Sequence, residues 1–160
     1  MGTTQDEQAL DALAAALGRR MEQRGGTIAV AESLTGGLLV QALARVQGSG
    51  AWLAGGVVAY ASSVKRELLQ VTAEKVVSRE AAEQMAAGGR RCLGADVAVS
   101  VTGVAGPERQ DGMPPGTVWI GTDDGVAARA TLFTLRGTPS EICQLTTLEA
   151  LRQLAGAVAP

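Results

Sequence analysis

The sequence predicts a single α/β domain with a mixed β-sheet, and three observations support this prediction. The chain has 160 residues, 46% of them apolar and 19% charged, so one domain with a substantial core is expected. Short apolar, often β-branched runs alternate with longer segments of helical period, which is the pattern of α/β proteins. Two of the later runs flank Asp123-Asp124-Gly125, a strong hairpin signal. Because a hairpin pairs its strands antiparallel, the sheet should contain both strand orientations.

The helices are predicted from apolar residues at helical spacing and from end signals. They cover residues 6–23, 38–46, 62–69, 78–92 and 140–155. Arg24-Gly25-Gly26 ends the first helix, and Ser78 is the expected N-cap of the fourth. Either Ser62 or Ser63 is expected to cap the third.

The strands are predicted over residues 27–31, 55–60, 95–101, 117–122 and 126–135. The first is mostly apolar and β-branched, which suits a strand covered on both faces. No repeat, low-complexity tract or linker interrupts the chain, so residues 1–160 are expected to form one domain with a core over about 8–155.

The composition excludes several classes of function. Fourteen basic residues stand against 16 acidic ones and aromatic residues make up 2%, so neither attraction to nucleic acid nor base stacking is expected. The chain contains no histidine, which removes Ser-His-Asp and Cys-His mechanisms and every histidine-ligated metal site.

Cysteine usage and hydropathy indicate a cytoplasmic protein. Cys92 and Cys143 form no CxxC pair and are expected to be free, buried thiols in a reducing compartment. Residues 1–6 lack the pattern of a signal peptide, and no apolar run approaches the ~20 residues of a membrane span. We therefore expect no membrane contact.

Three polar clusters follow predicted strands, where open α/β sheets place their ligands. Their sequences are AESLTGG (31–37), YASSVK (60–65) and TGVAGP (102–107). Each has a simpler interpretation when taken alone. A Ser or Thr at a strand–helix junction is usually an N-cap, and a lone Lys is usually solvated. Ser62 and Lys65 also match the SxxK pattern, which is loose and lacks its usual companions here.

These clusters, together with GSGAWLAGGVVAY and PPGTVWI, closely resemble the CinA C-terminal domain family from about Gln8 to Leu154. The resemblance implies a three-layer α/β/α sandwich with a mixed sheet. It also implies a nicotinamide-nucleotide amidohydrolase that converts nicotinamide mononucleotide to nicotinate mononucleotide and ammonia. No metal or other cofactor is implied, the partner is a small-molecule nucleotide, and a homo-oligomer is expected.

The resemblance also implies roles for individual residues. Those implied to be catalytic are Ser33, Tyr60, Lys65 and Thr102, and those implied to bind substrate are Thr35, Gly36, Gly37, Ser49, Gly103 and Gly106. A Lys65 kept neutral by burial could act as general base, and Tyr60 could relay a proton. Backbone N–H groups around Gly36 and Gly103 could hold an oxyanion or a phosphate.

Two spatial expectations follow from these roles. Lys65 should be buried, with its ammonium within hydrogen-bond reach of Tyr60 or Ser33. Residues 33–37 and Thr102-Gly103 should face each other across one pocket, because neighbouring strands place their following loops side by side.

The sequence departs from the family pattern at several positions. Gly50 stands where the family commonly has a second serine, Pro139 aligns with an arginine, and the loop over residues 108–116 lacks a lysine. Ser49 cannot replace the missing hydroxyl if this segment is extended, so Gly50→Ser is expected to raise turnover. A catalytically weak or inactive nucleotide-binding or regulatory domain is therefore the alternative, and another small-amide hydrolase is a third.

Overall fold

A computed structural model describes residues 4–158 of the protein. The α-helices are α1 (Thr4–Arg24), α2 (Leu38–Ala44), α3 (Ser62–Glu67), α4 (Arg79–Cys92) and α5 (Pro139–Ala157). The strands are β1 (Ile28–Glu32), β2 (Leu53–Val58), β3 (Val97–Gly103), β4 (Thr117–Asp123) and β5 (Ala128–Thr134). A short 3₁₀ helix spans Ser49–Ala51. Each predicted helix and strand is therefore present, with bounds that shift by a few residues.

The five strands form one sheet in the order β2-β1-β3-β4-β5. β1 lies parallel to both of its neighbours, β2 and β3, whereas β4 and β5 continue the sheet antiparallel. Asp123, Asp124 and Gly125 lie at the turn between β4 and β5. This arrangement confirms both the predicted hairpin and the mixed sheet.

Helices cover both faces of the sheet, which confirms the three-layer α/β/α architecture. α1, α2 and α5 pack against each other, and α2 and α5 also pack on the sheet. The largest apolar cluster joins them to one face of the sheet and includes Leu17, Val99 and Leu151. α4 packs on the opposite face, and a second cluster links it to the segment after α3 through Met85 and Leu69.

The helix ends follow capping rules that the sequence predicts only in part. The Ser78 hydroxyl accepts a hydrogen bond from the Ala81 amide, as expected of an N-cap. The expected cap of α3 is wrong, because Ala61 occupies the N-cap position and no side chain caps it. Thr138 and Glu141 form a reciprocal capping box at the start of α5.

Two further expectations concern the cysteines and the membrane. Cys92 is exposed at the end of α4, so its expected burial is wrong. Cys143 is half-buried, and its thiol donates to the Leu34 carbonyl oxygen at 3.2 Å. Within residues 4–158, no helix is both long enough and apolar enough to cross a bilayer.

Candidate active site

The candidate site lies where the three parallel strands end. Glu32 at the end of β1 is in register with Val58 of β2, and Ala31 is in register with Ser100 of β3. The loops that follow these strands therefore begin side by side at one edge of the sheet. This edge carries Ser33, Tyr60 and Thr102, so the expected adjacency of the three loops is confirmed.

Lys65 in α3 is buried at this edge, with only 1% of the residue exposed. Its Nζ donates a hydrogen bond to the backbone carbonyl oxygen of Tyr60 at 3.1 Å. Burial lowers the pKa of Lys65 to about 8, and the charge of Asp111 partly opposes this effect. The expectation of a buried lysine within reach of Tyr60 is therefore confirmed, with the carbonyl rather than the phenol as its partner.

Tyr60 presents its side chain to solvent, with 71% of the residue exposed. Ala59 is buried beside it, and the chain turns directly into α3. The backbone of Tyr60 thus positions the Lys65 amine. A proton relay through the phenol would need a hydrogen-bond partner, and the Tyr60 hydroxyl has none within residues 4–158.

The hydroxyls of Ser33 and Thr102 differ in their hydrogen bonding. Ser33 is buried, with 8% of the residue exposed. Its hydroxyl makes no hydrogen bond to any described residue between positions 4 and 158. Thr102 is also buried, but its Oγ1 donates to the Val76 carbonyl oxygen at 2.5 Å. The Ser33 hydroxyl is therefore not engaged by the described residues, whereas Thr102 links β3 to the segment before α4.

Glu32 is a site residue that the sequence analysis missed. Its buried Oε1 accepts hydrogen bonds from the Thr35 hydroxyl at 2.6 Å and from the amides of Gly37 and Leu39 at 3.2 and 3.0 Å. Its Oε2 accepts from the Val40 amide at 2.9 Å. A carboxylate directly before a glycine turn and a helix is the signal that could have identified it.

The expectation of free amides for an anion at the start of α2 is wrong, because the Glu32 carboxylate occupies this position. The Gly37 amide bonds to Glu32, and the Gly36 amide bonds to the Ser33 carbonyl oxygen at 3.1 Å. The helix N-terminus is thus filled by the protein's own negative charge. Gly36 still leaves open space beside the loop, because a Cβ there would contact nothing.

Gly103, at the end of β3, and Gly106, in the following loop, allow close packing of the backbone. A Cβ on Gly103 would lie 2.6 Å from the Thr117 carbonyl oxygen, so glycine permits the close pairing of β3 with β4. Gly106 has φ +94° and precedes a cis peptide bond to Pro107. A Cβ on Gly106 would lie 2.9 Å from Pro115, across the same loop.

Ser49 does not belong to this edge of the sheet, which corrects its predicted substrate-binding role within one chain. Ser49–Ala51 precedes β2, whereas Tyr60 follows it. The six-residue strand separates these two ends by roughly 17 Å at the usual rise per residue. The segment is a 3₁₀ helix rather than extended, and the Ser49 hydroxyl donates to the Ala44 carbonyl oxygen at 3.0 Å.

Asp111 is a second residue that the sequence analysis missed. Its Oδ2 accepts a hydrogen bond from the Val77 amide at 3.0 Å, although the two residues are far apart in sequence. The Asp111-Gly112 pair is a local turn signal that Glu108 lacks, but it does not indicate a contact with Val77. Its position becomes evident only when the loop folds back on the segment before α4.

Two cavities of about 520 Å³ each lie away from this edge. One is lined by α1, α2 and α5 and the other by α1, α2 and the following residues, and neither includes Ser33, Lys65 or Thr102. Among residues 4–158, no three His, Cys, Asp or Glu side chains are grouped as metal ligands would be.

Comparison with known proteins gives the family of the chain. A sequence profile of the CinA C-terminal domain matches residues 10–158. The chain belongs to the CinA C-terminal domain family. A CinA-like protein from Synechococcus sp. is 46% identical over 117 residues, which make up 69% of this chain and 28% of the relative. One from Frankia casuarinae is 47% identical over 115 residues, 68% of this chain and 27% of the relative.

Solved structures of CinA-type proteins share this fold. The competence/damage inducible protein CihA from Agrobacterium tumefaciens superposes with a TM-score of 0.89 and 31% identity, covering 94% of this chain and 96% of that one. Competence damage-inducible protein A from Klebsiella pneumoniae gives 0.87 and 33%, covering 92% and 95%. By contrast, this CinA domain spans only 27–28% of the length of the two CinA-like relatives named above.

Proposed function

We propose that this CinA domain hydrolyses the carboxamide of nicotinamide mononucleotide, giving nicotinate mononucleotide and ammonia without a metal. The observation that carries the proposal is Lys65. A buried amine with its pKa lowered to about 8 is a base available near neutral pH. The proposal is further supported by the uncommitted hydroxyl of Ser33 in the neighbouring loop.

The reaction needs one base and one nucleophile. In the proposed reaction, the Ser33 hydroxyl attacks the amide carbon while neutral Lys65 accepts its proton. The lysine then returns that proton to the departing nitrogen as the C–N bond breaks. Water, deprotonated in the same way, cleaves the resulting ester and regenerates Ser33. One water is consumed, and a carboxylate and ammonium are released.

Thr102 and Tyr60 take supporting roles in this proposal. The Thr102 hydroxyl already donates to Val76, so it is a poor candidate for the attacking group. Tyr60 contributes its backbone carbonyl oxygen, which orients the Lys65 amine. These assignments modify the roles that the sequence implied for both residues.

A binding or regulatory domain is the second candidate function, and specific features favour it. The loop over residues 108–116 lacks the lysine that the family resemblance implies. Pro139, at the position where the family resemblance implies an arginine, supplies no charge. Such a domain would bind a nucleotide at the same edge of the sheet without turning it over.

Ammonia release from nicotinamide mononucleotide, measured beside calorimetric binding of the same nucleotide, tests both candidates. The amidohydrolase should release ammonia, Ser33→Ala and Lys65→Ala should abolish release, and both variants should retain binding. Lys75→Ala is the matched control, because Lys75 is an exposed lysine outside the site. Binding without ammonia release would instead support the regulatory domain. Release from other small amides but not from this nucleotide would reassign the substrate.

A further inference from the structure

Residues 70–78, between α3 and α4, form no helix or strand, yet their first part is packed between the two helices. Val71 and Ala73 are buried and share an apolar cluster with Leu69, which follows α3, and with Met85 of α4. Backbone groups in such a segment have no partners in a helix or sheet, so side chains or water must supply them. The side chains that do so here come from both helices.

α3 is bonded to this segment by two successive residues. Gln70 has φ +57°, and the chain turns back toward the helix at this point. The Val71 amide then donates to the backbone carbonyl oxygen of Lys65 at 3.1 Å. The Arg66 guanidinium donates to the carbonyl oxygen of Ala73, also at 3.1 Å. The end of α3 that carries Lys65 is therefore bonded to residues 71–73.

Gln84 of α4 holds the same residues from the other side. Its Oε1 accepts hydrogen bonds from the amides of Thr72 and Ala73 at 2.8 and 3.0 Å. Its Nε2 donates to the Thr72 hydroxyl at 2.9 Å and to the Glu80 carboxylate at 3.2 Å. Both ends of the Gln84 carboxamide thus bind the segment that is bonded to α3.

α3 depends on contacts of this kind for its orientation. It has 6 residues, and Ala61 occupies its N-cap position without a side-chain cap. A helix this short is not stable in water by itself. The sheet holds its beginning, because the Ala59 amide donates to the Glu32 carbonyl oxygen at 2.8 Å. Residues 71–73 hold its other end.

We propose that Gln84 is a positioning residue for the Lys65 amine: it fixes residues 72–73 on α4 and, through them, the end of α3 that carries Lys65. The hydrogen bonds form a continuous path, since Val71, next to the residues that Gln84 binds, donates to Lys65. Arg66 gives a second connection through the Ala73 carbonyl oxygen. The inference deepens the proposed amidohydrolase function and rests on it only for the effect on rate.

Replacing Gln84 tests position rather than charge, because glutamine carries none. Charged side chains on α3 and on the elements packed around it include Glu32, Arg66, Glu67, Arg79, Glu80 and Asp111. A substitution of Gln84 by an uncharged residue removes none of them. The charge of Asp111, which raises the pKa of Lys65 against the lowering caused by burial, therefore stays in place.

Gln84→Met keeps a long, unbranched side chain with good helix propensity and removes both hydrogen-bonding groups. Residues 72–73 should then separate from α4, and Lys65 should gain contact with water. Because burial is the main cause of its lowered pKa, the Lys65 midpoint should rise from about 8 toward the ordinary value of about 10.4. Each pH unit of increase lowers the neutral fraction at pH 7 about tenfold, so kcat at pH 7 should fall while KM is retained.

The Lys65 titration can be observed directly, because Lys65 and Lys75 are the lysines of this chain. In protein labelled with ¹³C-lysine, the Cε signals of both residues are followed by NMR from pH 6 to 11, with Lys75 as internal reference. Gln153→Met is the matched control, because Gln153 accepts from the Thr131 hydroxyl at 3.4 Å in a different helix, α5. Amide hydrogen exchange at residues 72 and 73 is measured on the same proteins.

We expect the Lys65 midpoint to rise in Gln84→Met and to remain in place in Gln153→Met. The amides of Thr72 and Ala73 should be protected from exchange in the wild type and in Gln153→Met, and should lose protection in Gln84→Met. An unchanged Lys65 midpoint in folded Gln84→Met, or an equal shift in both variants, would overturn the inference.

The exchange measurement on the wild type needs no variant, so unprotected amides at Thr72 and Ala73 would overturn the inference even if Gln84→Met did not fold. A wild type that releases no ammonia at any pH would overturn the proposed function instead. The NMR titration would then still decide whether Gln84 positions the Lys65 amine.

Discussion

At the scale of single residues, the chemistry proposed for this CinA domain depends on how Lys65 is buried. Its position within α3 places the amine under the sheet edge, where the Tyr60 carbonyl oxygen is its hydrogen-bond acceptor. A carbonyl oxygen accepts a hydrogen bond from the neutral amine as well as from the ammonium, so this contact does not require the lysine to be charged. Burial disfavours the ammonium, and the amine becomes a usable base within the physiological range.

The first prediction concerns the pH dependence of ammonia release. Because only neutral Lys65 accepts a proton, kcat/KM should increase about tenfold per pH unit below pH 8 and level off above it. The profile is measured for the wild type and for Lys75→Ala, which should coincide. A rate that is independent of pH between 6 and 9 would contradict the assignment of Lys65 as the base.

The sequence predicts which residues gather at the site more readily than what each atom does there. Ser33, Lys65 and Thr102 are buried at one edge of the sheet. The sequence predicts this grouping, because local patterns indicate the strand ends and helix starts that carry the three residues. The commitment of the Thr102 hydroxyl to Val76 depends on a contact across 26 positions in the chain. No local pattern encodes such a contact, and the hydrogen bond from the Val77 amide to Asp111 was missed for the same reason.

At the scale of elements, the start of α2 shows how a short helix is held at the site. α2 has 7 residues, and no side chain caps it from Gly37. Glu32 replaces that cap from the preceding strand, with its two carboxylate oxygens on the first amides of the helix. The negative charge also complements the positive end of the helix dipole. The Ser33–Gly37 loop is therefore fixed between a strand and a helix that share one carboxylate.

The second prediction is that Glu32→Ala lowers the free energy of unfolding by at least ~2 kcal/mol. The substitution leaves the buried Leu39 amide and Thr35 hydroxyl without their acceptor, and each unpaired buried group costs about 1–3 kcal/mol. Urea denaturation followed by circular dichroism measures the change. Glu67→Ala, which removes an exposed glutamate, is the control and should stay within ~0.5 kcal/mol. Equal stabilities of the two variants would refute the capping role.

Elements whose type is set by periodicity were predicted well, and those set by tertiary contacts were not. The apolar period of α5 identified the helix, and Ser78 identified the start of α4. The two serines at the start of α3 carried the same local signal as Ser78 but make no cap. α3 is held instead by the burial of Lys65 and Leu69, which no capping rule anticipates.

At the scale of the whole molecule, small residues let α4 approach both the sheet and the segment that follows α3. A Cβ on Gly88 would overlap the Leu69 carbonyl oxygen, and one on Gly121 of β4 would overlap the Ala82 carbonyl oxygen. The layer that carries Lys65 is thus packed backbone to backbone against α4. Gly88 sets how closely α4 approaches this segment, and Gly121 sets how closely α4 approaches the sheet.

The third prediction compares two helical glycines. Gly88→Ala should destabilise the protein by about 1–3 kcal/mol, because the added methyl group forces α4 away from Leu69. Gly156→Ala, at an open position in α5, should be neutral or stabilising by up to about 1 kcal/mol. Thermal unfolding of both variants measures the difference. A Gly88→Ala protein as stable as Gly156→Ala would show that the contact is not tight.

The last prediction concerns Gly50 and the number of chains that form the site. Position 50 lies at the amino-terminal end of β2, roughly 17 Å from the residues that follow this strand. A serine fits there without strain, since a Cβ on Gly50 contacts nothing, yet its hydroxyl cannot reach Lys65 of the same chain. Gly50→Ser should therefore leave kcat and KM for nicotinamide mononucleotide unchanged, contrary to the expectation from the sequence alone. Gly156→Ala serves as a remote control for the kinetic constants, and light scattering is measured on the same samples. A rise in kcat specific to Gly50→Ser, in a sample that is dimeric or larger, would contradict a site built within one chain and would indicate that a neighbouring copy supplies this segment.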